Sequence, residues 1–304
     1  MNDKLKVGVV GVGRWGRSIL RVLSELKDLV NVIAICDINQ VNLSEVAKRF
    51  EVKSKYTSID DMLSNESLDA IFIAVTPENL TPISLKALKD NIHIFVEKPV
   101  ACSYKDALKL YEESRKRSVV VVPGFIMRFN PVVNAIKELI EKCGKPYTID
   151  FRRLSKRPPS LKQTHVLLDL GIHDIDLMFY LLNCDNIRVS CVHRYSSING
   201  ESYNISLECD EVSVFLRVDE LSPIKIREID IVGANYYIRG DTVNNKLLYL
   251  IQGKVFEKFI TGEEPLKLEI IEFIKAVEGK ESSSPSLCDA LKALKVVDEI
   301  LSQC

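Results

Sequence analysis

Three glycines between an apolar run and a helical pattern constrain the fold of this chain more than any other feature. Residues 5–10 form a strand-like apolar run, and Gly11, Gly13 and Gly16 follow it with the spacing GxGxxG before a helical pattern begins. In such a turn the first glycine permits a tight bend, the second lets a pyrophosphate approach the backbone, and the third lets helix and strand pack closely. The motif predicts a dinucleotide-binding turn. Its candidate cofactor contacts are Gly11, Gly13, Arg14, Trp15 and Gly16.

The second strand-like run, residues 30–36, ends at an acidic residue. Asp37 lies about twenty residues beyond the turn, where a carboxylate accepts hydrogen bonds from adenosine ribose hydroxyls. The same charge repels a 2′-phosphate, so we expect NAD as the cofactor. Arg14 or Arg17 can compensate for a phosphate, which keeps NADP as the alternative. The neighbouring Asn39 is a further candidate contact.

Apolar runs and helical patterns alternate over the first part of the chain. The strand-like runs are residues 69–75, 92–96 and 119–122, and the helical patterns between them are residues 79–89 and 103–117. Strands that are apolar throughout are typical of a parallel sheet covered on both faces by helices. The pattern changes at Pro123, which predicts a dinucleotide-binding domain over residues 1–122 and a second domain over 123–304.

The second domain is predicted to contain a different kind of sheet. Residues 147–152 and 212–219 alternate between apolar and polar, as in strands with one drier and one wetter face. Ile226 and Ile229 are an odd number of residues apart, so a regular strand would place them on opposite faces. This interruption of the alternating pattern indicates a bulge or a strand break. Two amphipathic helical patterns, residues 265–278 and 288–301, close the chain.

Composition excludes several classes of function. Lys plus Arg is 41 and Asp plus Glu is 42, so the formal net charge is −1. A chain with this charge has no overall electrostatic attraction for nucleic acid or an anionic membrane. No apolar run is long enough to span a bilayer and no secretory signal is seen, so we expect a cytoplasmic protein. The eight cysteines show neither CxxC nor zinc-ligand spacing. They predict scattered reduced thiols and no metal site.

A polar stripe crosses the most apolar helical pattern, residues 166–182. Asp169, His173 and Asp176 are spaced i, i+4 and i+7, which places them on one face of an α-helix, whereas Asp174 points elsewhere. Buried carboxylates and imidazoles are costly unless paired, so the stripe is predicted to line a cleft. A carboxylate one turn from a histidine can orient its ring. The alternative is a histidine with a purely structural role.

A lysine stands at the end of the strand formed by residues 92–96, in the sequence Glu97-Lys98-Pro99. Ligands of open α/β sheets bind beyond the carboxyl ends of the strands. Pro99 favours an extended conformation at Lys98 and ends the strand. An ammonium there would stabilise negative charge developing on a substrate oxygen. The alternative is a solvated turn lysine.

Together these motifs resemble the Gfo/Idh/MocA family of NAD(P)-dependent sugar and polyol oxidoreductases. The marks that carry the resemblance are residues 8–16, the Thr76-Pro77 segment, Glu97-Lys98-Pro99, and Asp169 with His173 four residues on. The resemblance implies a Rossmann domain followed by an α/β domain with a large, mostly antiparallel open sheet. It also implies that Thr76, Pro77 and Glu97 contact the cofactor, and that Lys98 and His173 flank the reacting carbon. Family members commonly oligomerise through the open sheet, so a homodimer or homotetramer is expected.

Within the family, Arg128-Phe129-Asn130-Pro131 is similar to a segment of UDP-N-acetylglucosamine 3-dehydrogenases, and residues 221–227 resemble a strand of the same group. This implies oxidation of the 3-hydroxyl of a UDP-N-acetylhexosamine. Arg128, Asn130 and Arg157 are then candidates for contacting the sugar or its phosphates. The sequence departs from the group at His165, where a glycine is common, and at Asn79-Leu80, near which a histidine is common.

The expected chemistry is hydride transfer from a secondary carbinol to nicotinamide. His173, neutral at working pH, would take the hydroxyl proton, Lys98 would hydrogen-bond the same oxygen, and Asp169 would orient the sugar or the imidazole. One alternative is a polyol, inositol or free-sugar dehydrogenase of the same family. Another is a dinucleotide-binding sensor without catalysis, against which the presence of both Lys98 and His173 argues.

Overall fold

The computed structural model describes residues 4–157 and 164–303. These residues form two compact units. Unit 1 comprises the chain up to Phe125 together with Leu266–Leu291, and unit 2 comprises Ile126–Pro265 together with the chain from Lys292 onward. The division along the chain lies close to the predicted change of pattern at Pro123. Unlike the predicted domains 1–122 and 123–304, unit 1 is discontinuous and takes in a segment from near the C terminus.

Unit 1 contains a six-stranded parallel sheet with the strand order β3-β2-β1-β4-β5-β6. Its strands are β1 (Leu5–Val10), β2 (Val30–Cys36), β3 (Ser54–Tyr56), β4 (Ala70–Ile73), β5 (His93–Glu97) and β6 (Val121–Gly124). Its helices are α1 (Arg14–Glu25), α2 (Gln40–Arg49), α3 (Ile59–Asn65), α4 (Pro77–Lys89) and α5 (Tyr104–Ser114). The order reverses between β1 and β4, and such a switch point is where doubly wound sheets bind their ligands.

The C-terminal segment of unit 1 completes the core around this sheet. Helix α8 (Pro265–Val277) carries Phe273, whose ring centroid lies 5.2 Å from that of Phe72 on β4 and 5.8 Å from that of Phe95 on β5. All three rings are fully buried. The two edge-on aromatic contacts add to the apolar area that the helix removes from water, which explains why this distant segment belongs to unit 1.

Unit 2 is built on an eight-stranded sheet with the strand order β14-β13-β12-β11-β7-β10-β9-β8. Its strands are β7 (Thr148–Leu154), β8 (Ile187–Ser197), β9 (Gly200–Cys209), β10 (Val212–Asp219), β11 (Ile226–Val232), β12 (Tyr236–Asp241), β13 (Lys246–Ile251) and β14 (Lys254–Phe259). Its helices are α6 (Pro131–Cys143) and α7 (Ile172–Leu182), and α9 (Leu287–Ser302) runs from unit 1 into unit 2. Among the strands that the structure describes in this sheet, only β7 and β10 pair in parallel, so the predicted α/β fold with a second, mostly antiparallel sheet is confirmed.

The two faces of this sheet differ as the alternating pattern predicts. On β7, Ile149 and Phe151 are buried on one face. On the other face Phe215, Val255 and Phe259 are substantially exposed. The predicted bulge or strand break between Ile226 and Ile229 is wrong, because β11 pairs with β7 in continuous register from Ile226 to Val232. The alternation of apolar and polar residues is irregular here because Arg227 occupies a position on the covered face, where an apolar residue is expected.

The prediction that every cysteine is a free thiol is wrong for one pair. Cys184, just after α7, and Cys209, at the end of β9, form a disulfide with their Cα atoms 6.0 Å apart. Both are buried. Cysteine spacing alone cannot reveal such a pair, because it depends on which strand a helix end reaches.

Within the described ranges, no helix combines the length and apolar character needed to cross a membrane. In the same residues, no group of three or more histidine, cysteine, aspartate or glutamate side chains is arranged to hold a metal ion.

Candidate active site

The glycine turn after β1 is fixed by backbone geometry. Gly11 has a φ of +82°, and a Cβ atom there would lie 2.3 Å from the carbonyl oxygen of Ala74. A Cβ at Gly16 would lie 1.9 Å from the carbonyl oxygen of Gly11. A Cβ at Gly13 would meet nothing within 4 Å. Gly11 and Gly16 are therefore required by the turn itself, whereas Gly13 leaves open space over the backbone at the start of α1.

Asp37 is held in place at the end of β2. One carboxylate oxygen accepts the Val12 N–H at 2.8 Å, and the other accepts the Asn39 N–H at 2.8 Å. Asn39 itself caps α2 by accepting the Asn42 N–H at 3.0 Å. Asp37 therefore links the glycine turn to the adjacent strand end, and the role that the structure gives Asn39 is a helix cap.

Arg17, one of the two arginines considered for a 2′-phosphate, already has a carboxylate partner. Its guanidinium forms an ion pair with Glu45 at 3.1 Å and also donates to the Asn42 side chain. Arg14 is exposed at the start of α1. Since Asp37 places a fixed negative charge at this edge and Arg17 is paired, the arrangement favours a ribose with a free 2′-hydroxyl.

Glu97 and Lys98 lie at the carboxyl end of β5. Trp15 Nε1–H donates to the buried Glu97 carboxylate, across the edge of the sheet from the glycine turn. Burial raises the pKa of Glu97 to about 7, while the Trp15 hydrogen bond and the Lys98 charge act in the opposite direction. Lys98 is half-buried immediately after the strand. The strand end thus presents a cation beside a carboxyl group that can change its charge near neutral pH.

Thr76 and Pro77 follow β4 at the same edge of the sheet. Thr76 stands at the N-cap of α4 and Pro77 at its first position, where a missing N–H costs nothing. The Thr76 hydroxyl donates to Glu78 at 2.6 Å and accepts from Asn79 at 3.0 Å. The hydrogen bond from Thr76 holds the pKa of Glu78 below its usual range. These bonds fix the loop after β4 next to the glycine turn.

The residues at this edge fit a dinucleotide. The open backbone at Gly13 can receive a pyrophosphate on the N-terminal N–H groups of α1, and Asp37 can accept the ribose hydroxyls. The same edge carries Thr76 and Lys98 for the remainder of the ligand.

In unit 2, the apolar helix begins with a π-helical turn, Leu167–Gly171, which continues into α7. Asp169 lies in this turn, so the spacing of Asp169, His173 and Asp176 is not that of a regular α-helix. π-Helical turns inside α-helices occur often at functional sites. His173 is half-exposed while the residues around it on α7 are buried, so it remains reachable by a small molecule.

Each aspartate of this helix is bound to an arginine from another part of unit 2. Arg128 donates through Nε and Nη2 to Asp176, with a shortest distance of 2.6 Å. Arg153 on β7 forms a bidentate ion pair with Asp174, in which Nε donates at 2.8 Å and Nη2 at 2.6 Å. Arg157 donates to Asp169 at 3.2 Å. These pairs satisfy the buried carboxylates that the sequence left to be explained.

The pairing changes the predicted roles of several residues. Asp176 is fully buried with Arg128 and does not line an open cleft. Arg157 also donates to Glu220 at 2.7 Å and to the Thr164 carbonyl at 2.8 Å, so it faces two carboxylates. The Asn130 side-chain oxygen caps α6 by accepting the Val132 N–H at 2.9 Å. Arg128, Asn130 and Arg157 therefore all have structural partners, and their contact with a substrate stays a prediction.

A second cluster around His165 was noted in the sequence only as a departure from a family pattern. His165 Nδ1 accepts the Leu167 N–H at 3.2 Å, and Nε2 lies 3.2 Å from both Glu201 and Tyr203 Oη. Burial lowers the pKa of His165, with Glu201 acting in the opposite direction. Because Nδ1 accepts, the proton of the neutral ring is on Nε2. His165 therefore anchors the first turn of the helix that carries Asp169.

Arg227 is a further residue whose significance sequence reasoning missed. It donates to the carbonyls of Leu154 and Ile226 at 2.9 and 2.8 Å and to the Ser155 hydroxyl at 3.0 Å. The feature of the sequence that could have revealed Arg227 was the interrupted alternation of apolar residues in β11. It was interpreted as a bulge, although it marks a cation on the covered face of the sheet.

The parallel sheet, its strand order and its glycine turn define unit 1 as a dinucleotide-binding Rossmann unit. Residues 5–125 match the family described as "Oxidoreductase family, NAD-binding Rossmann fold" (GFO_IDH_MocA). The predicted resemblance to the Gfo/Idh/MocA oxidoreductases is confirmed over these residues, and NAD is the cofactor that the matched family's fold binds.

Among curated proteins, the chain is similar to myo-inositol 2-dehydrogenase of Thermotoga maritima, with 27% identity over 184 residues. That alignment covers 59% of this chain and 55% of the relative. The inositol 2-dehydrogenase of Salmonella paratyphi B is 28% identical over 186 residues, covering 60% and 55%. The chain thus spans about half the length of the curated relatives it matches.

Among solved structures, the fold is similar to that of the UDP-N-acetylglucosamine 3-dehydrogenase GnnA from Acidithiobacillus ferrooxidans. The TM-score is 0.88 at 20% identity, covering 99% of this chain and 98% of that chain. At this identity the likeness concerns the fold of the whole chain, including its second unit.

Proposed function

We propose that this protein is an NAD-dependent dehydrogenase that oxidises a secondary hydroxyl of a sugar or polyol. The observation that carries the proposal is the shared edge in unit 1: the glycine turn after β1 and Lys98 after β5 both stand at the carboxyl edge of one parallel sheet. Ligands of such sheets bind at this edge. A cation at the same edge as a dinucleotide turn is suited to a substrate oxygen that gains negative charge.

NAD, when bound, supplies the hydride acceptor. In unit 1, Gly13 gives the pyrophosphate access to the backbone, and Asp37 selects a free 2′-hydroxyl, which supports NAD over NADP. Trp15 and Thr76 are held by hydrogen bonds at the same edge and would position the rest of the ligand. Lys98 donates a hydrogen bond to the substrate oxygen and lowers the cost of its negative charge.

In unit 2, we assign proton transfer to His173, which is a partly exposed polar residue near the start of α7. A neutral imidazole can take the proton of the hydroxyl as hydride leaves the same carbon. Asp169 orients the substrate or the imidazole, and Arg157 in turn holds Asp169 through its hydrogen bond at 3.2 Å. The chemistry balances: the carbinol carbon would lose a hydride to the acceptor that NAD supplies, and the hydroxyl oxygen would lose its proton to His173, which leaves a ketone.

Two substrate classes fit this chemistry. A nucleotide sugar, in particular the 3-hydroxyl of a UDP-N-acetylhexosamine, is supported by the Arg128–Pro131 segment. The arginines expected to meet its diphosphate, Arg128 and Arg157, are however engaged by carboxylates. A polyol, inositol or free sugar needs no such contact. The inositol dehydrogenases among the relatives support this second class.

The test is the appearance of reduced-nicotinamide absorbance with NAD or NADP and a panel of substrates: myo-inositol, glucose, UDP-N-acetylglucosamine and its uronic acid. Turnover with at least one of them supports the proposal, and the active substrate identifies the class. Lys98→Met and His173→Asn should each lower kcat by at least about a hundredfold, the usual scale of electrostatic and acid–base contributions. Wild-type turnover in either variant would remove that residue from the mechanism.

A dinucleotide-binding sensor is the alternative from another class. It predicts cofactor binding, observed as quenching of Trp15 fluorescence by NAD, with no turnover of any substrate in the panel. Trp15 is the single tryptophan of the chain, so this signal is specific to the glycine turn.

We also propose a homo-oligomer formed through the open face of the unit 2 sheet. Its support is the exposure of Phe215 on β10 and of Val255 and Phe259 on the edge strand β14, all on that face, where a second copy would remove these apolar side chains from water. Light scattering on a Phe259→Lys variant should give a smaller mass than the wild type. Equal masses would argue against this surface.

A further inference from the structure

Arg227 differs from the other arginines on the covered side of unit 2. Arg128, Arg153 and Arg157 each have carboxylate partners at hydrogen-bonding distance. For Arg227, every hydrogen-bond acceptor in the described residues is a neutral oxygen: two backbone carbonyls and the Ser155 hydroxyl. It is thus a cation without a counterion at contact distance among the residues that the structure describes.

The guanidinium of Arg227 keeps part of its donor set available. Nη1 makes the two bonds to Leu154 and Ile226, and Nη2 makes one bond to Ser155. Of its five N–H groups, this leaves Nε–H and one N–H of Nη2 without an acceptor in the described part of the chain. The Nε atom of Arg227 has no acceptor in the described residues and is not enclosed by them, so solvent reaches it. Nε and Nη2 form the side of the fork that binds an oxyanion through two parallel bonds.

The position of Arg227 connects this donor fork to the candidate active site. Arg227 pairs in register with Arg153 of β7, and Arg153 reaches Asp174 on α7. Arg227 therefore stands on the face of the sheet that the helix covers, together with the Asp169–His173 segment. The electrostatic influence of Asp169 and Asp174 on its pKa shows that this helix is within range.

The charge of Arg227 is stabilised less than that of an ordinary arginine. Burial, followed by the like charge of Arg153, lowers its pKa to about 10, and Asp174 and Asp169 offset only part of this. At neutral pH the group is still protonated. An anion bound to the fork would offset both the burial and the repulsion, which is the condition for a strong charge-assisted contact.

We propose that Arg227 is an oxyanion-binding residue of unit 2, and that it receives a carboxylate or phosphate group carried by the substrate. The inference rests on the proposed dehydrogenase function and narrows its substrate class to sugars that bear an oxyanion. It also assigns the contact with the substrate's anion to Arg227 in place of Arg128 and Arg157, because carboxylates already neutralise those two arginines.

The test measures binding to the full chain saturated with NAD, by isothermal titration calorimetry. The probes are D-glucuronate for a carboxylate, UDP-N-acetylglucosamine for a phosphate, and D-glucose as the neutral reference. In Arg227→Met we expect the affinity for one of the two anionic probes to fall about ten- to a hundredfold, the scale of a hydrogen-bonded charge pair. The probe affected identifies the group. Arg227→Lys keeps the charge but not the fork and should lose less.

The matched control is Arg239→Met. Arg239 belongs to the strand next to β11 but is exposed and pairs with Asp230, so its replacement should leave both affinities unchanged. Melting temperatures without ligand show whether each variant folds, and Arg227→Lys keeps the test open if Arg227→Met does not. The proposal is overturned if both anionic probes bind Arg227→Met as tightly as wild type. It is equally overturned if neither binds wild type more tightly than glucose.

The binding test separates this inference from the proposed function. Turnover of glucose or inositol by a protein that binds neither anionic probe would leave the dehydrogenase function standing and remove the role of Arg227. Binding that depends on Arg227 without turnover of any substrate would do the reverse.

Discussion

Unit 1 and unit 2 hold their candidate functional groups in different ways. In unit 1 the groups are placed by the backbone: a left-handed glycine, a close approach at Gly16, and residues at the ends of parallel strands. In unit 2 they are placed by side chains, because Asp169, Asp174 and Asp176 each depend on an arginine from elsewhere in the sequence. A site whose residues are positioned by the backbone depends on a short sequence motif. A site whose residues are positioned by side-chain pairs depends on the fold that brings distant residues together.

The difference also sets how each unit fails. A backbone site is lost when an added atom has no room, and the damage is steric. A paired site is lost when one member of an ion pair is removed, and the remaining buried charge then destabilises the whole unit. Four predictions test this contrast, beginning with the largest expected effect.

Removal of one member of a buried pair in unit 2 should have the largest effect. Asp176→Ala leaves Arg128 buried without its partner and should destabilise unit 2 by about 3–5 kcal/mol. The measurement is urea unfolding followed by circular dichroism. The double variant Arg128→Met/Asp176→Leu should recover much of this loss. Equal destabilisation in the single and double variants would show that packing, and not the unpaired charge, causes the effect.

The glycine turn offers a matched pair in unit 1. Gly16→Ala brings a Cβ to 1.9 Å from a backbone oxygen and should destabilise unit 1 by about 2–3 kcal/mol, because this oxygen cannot move away easily. Gly13→Ala meets nothing within 4 Å in the protein. It should keep the wild-type melting temperature yet lose NAD affinity, measured by Trp15 fluorescence. Unchanged NAD affinity in Gly13→Ala would refute the role assigned to this position.

A smaller effect is expected at Asp37. Asp37→Ala removes the acceptor for the ribose hydroxyls and should raise the Kd for NAD by about tenfold, the value of about one charge-assisted hydrogen bond. The Kd for NADP should fall or remain constant, because the repulsive charge is lost. Asn39→Ala, which removes only the helix cap, is the control. A parallel loss of affinity for both cofactors would indicate that Asp37 only supports the turn.

The last prediction concerns the pH dependence of unit 1. The folded pKa of Glu97 is about 7, above the ordinary value of 4.5, so the folded state holds this proton more tightly than the unfolded state. The contribution to stability is therefore present at low pH and is lost as pH rises from about 4.5 to about 7. The melting temperature should decrease by a few degrees over this interval, and Glu97→Gln should remove that decrease.

Trp15 reports the same ionisation directly, because its indole N–H donates to the Glu97 carboxylate. Its fluorescence should change with a midpoint near pH 7 in the wild type and remain flat in Glu97→Gln. A wild-type signal that is flat between pH 5 and pH 9 would contradict the raised pKa.

The features of unit 1 were largely predictable from sequence. The glycine turn, the apolar strands and the residues at the strand ends are local, and each follows from a few consecutive residues. The return of α8 was not predictable, because the contact of Phe273 with Phe72 and Phe95 has no signature in the spacing of either segment.

Unit 2 was predictable only in outline. Alternating apolar residues predicted its sheet, and the polar positions on the apolar helix singled out Asp169 and His173. The π-helical turn, the partners of the aspartates and the Cys184–Cys209 pair were not foreseen. Arg157 shows why: a basic loop residue suggests a phosphate ligand until the fold reveals Glu220 and Asp169 beside it.

The parallel pairing of β7 with β10 has a consequence for how unit 2 is made. Hairpins join β8 to β9 and β10, and join β11 to the strands up to β14, so both groups can form from neighbouring residues. β7 lies between the two groups, paired with β10 on one side and β11 on the other. On the ribosome it emerges before either partner, and its contacts are of the distant kind that slow folding. The middle strand of the sheet is therefore synthesised first, and its pairing on either side has to wait until β10 and β11 have been made.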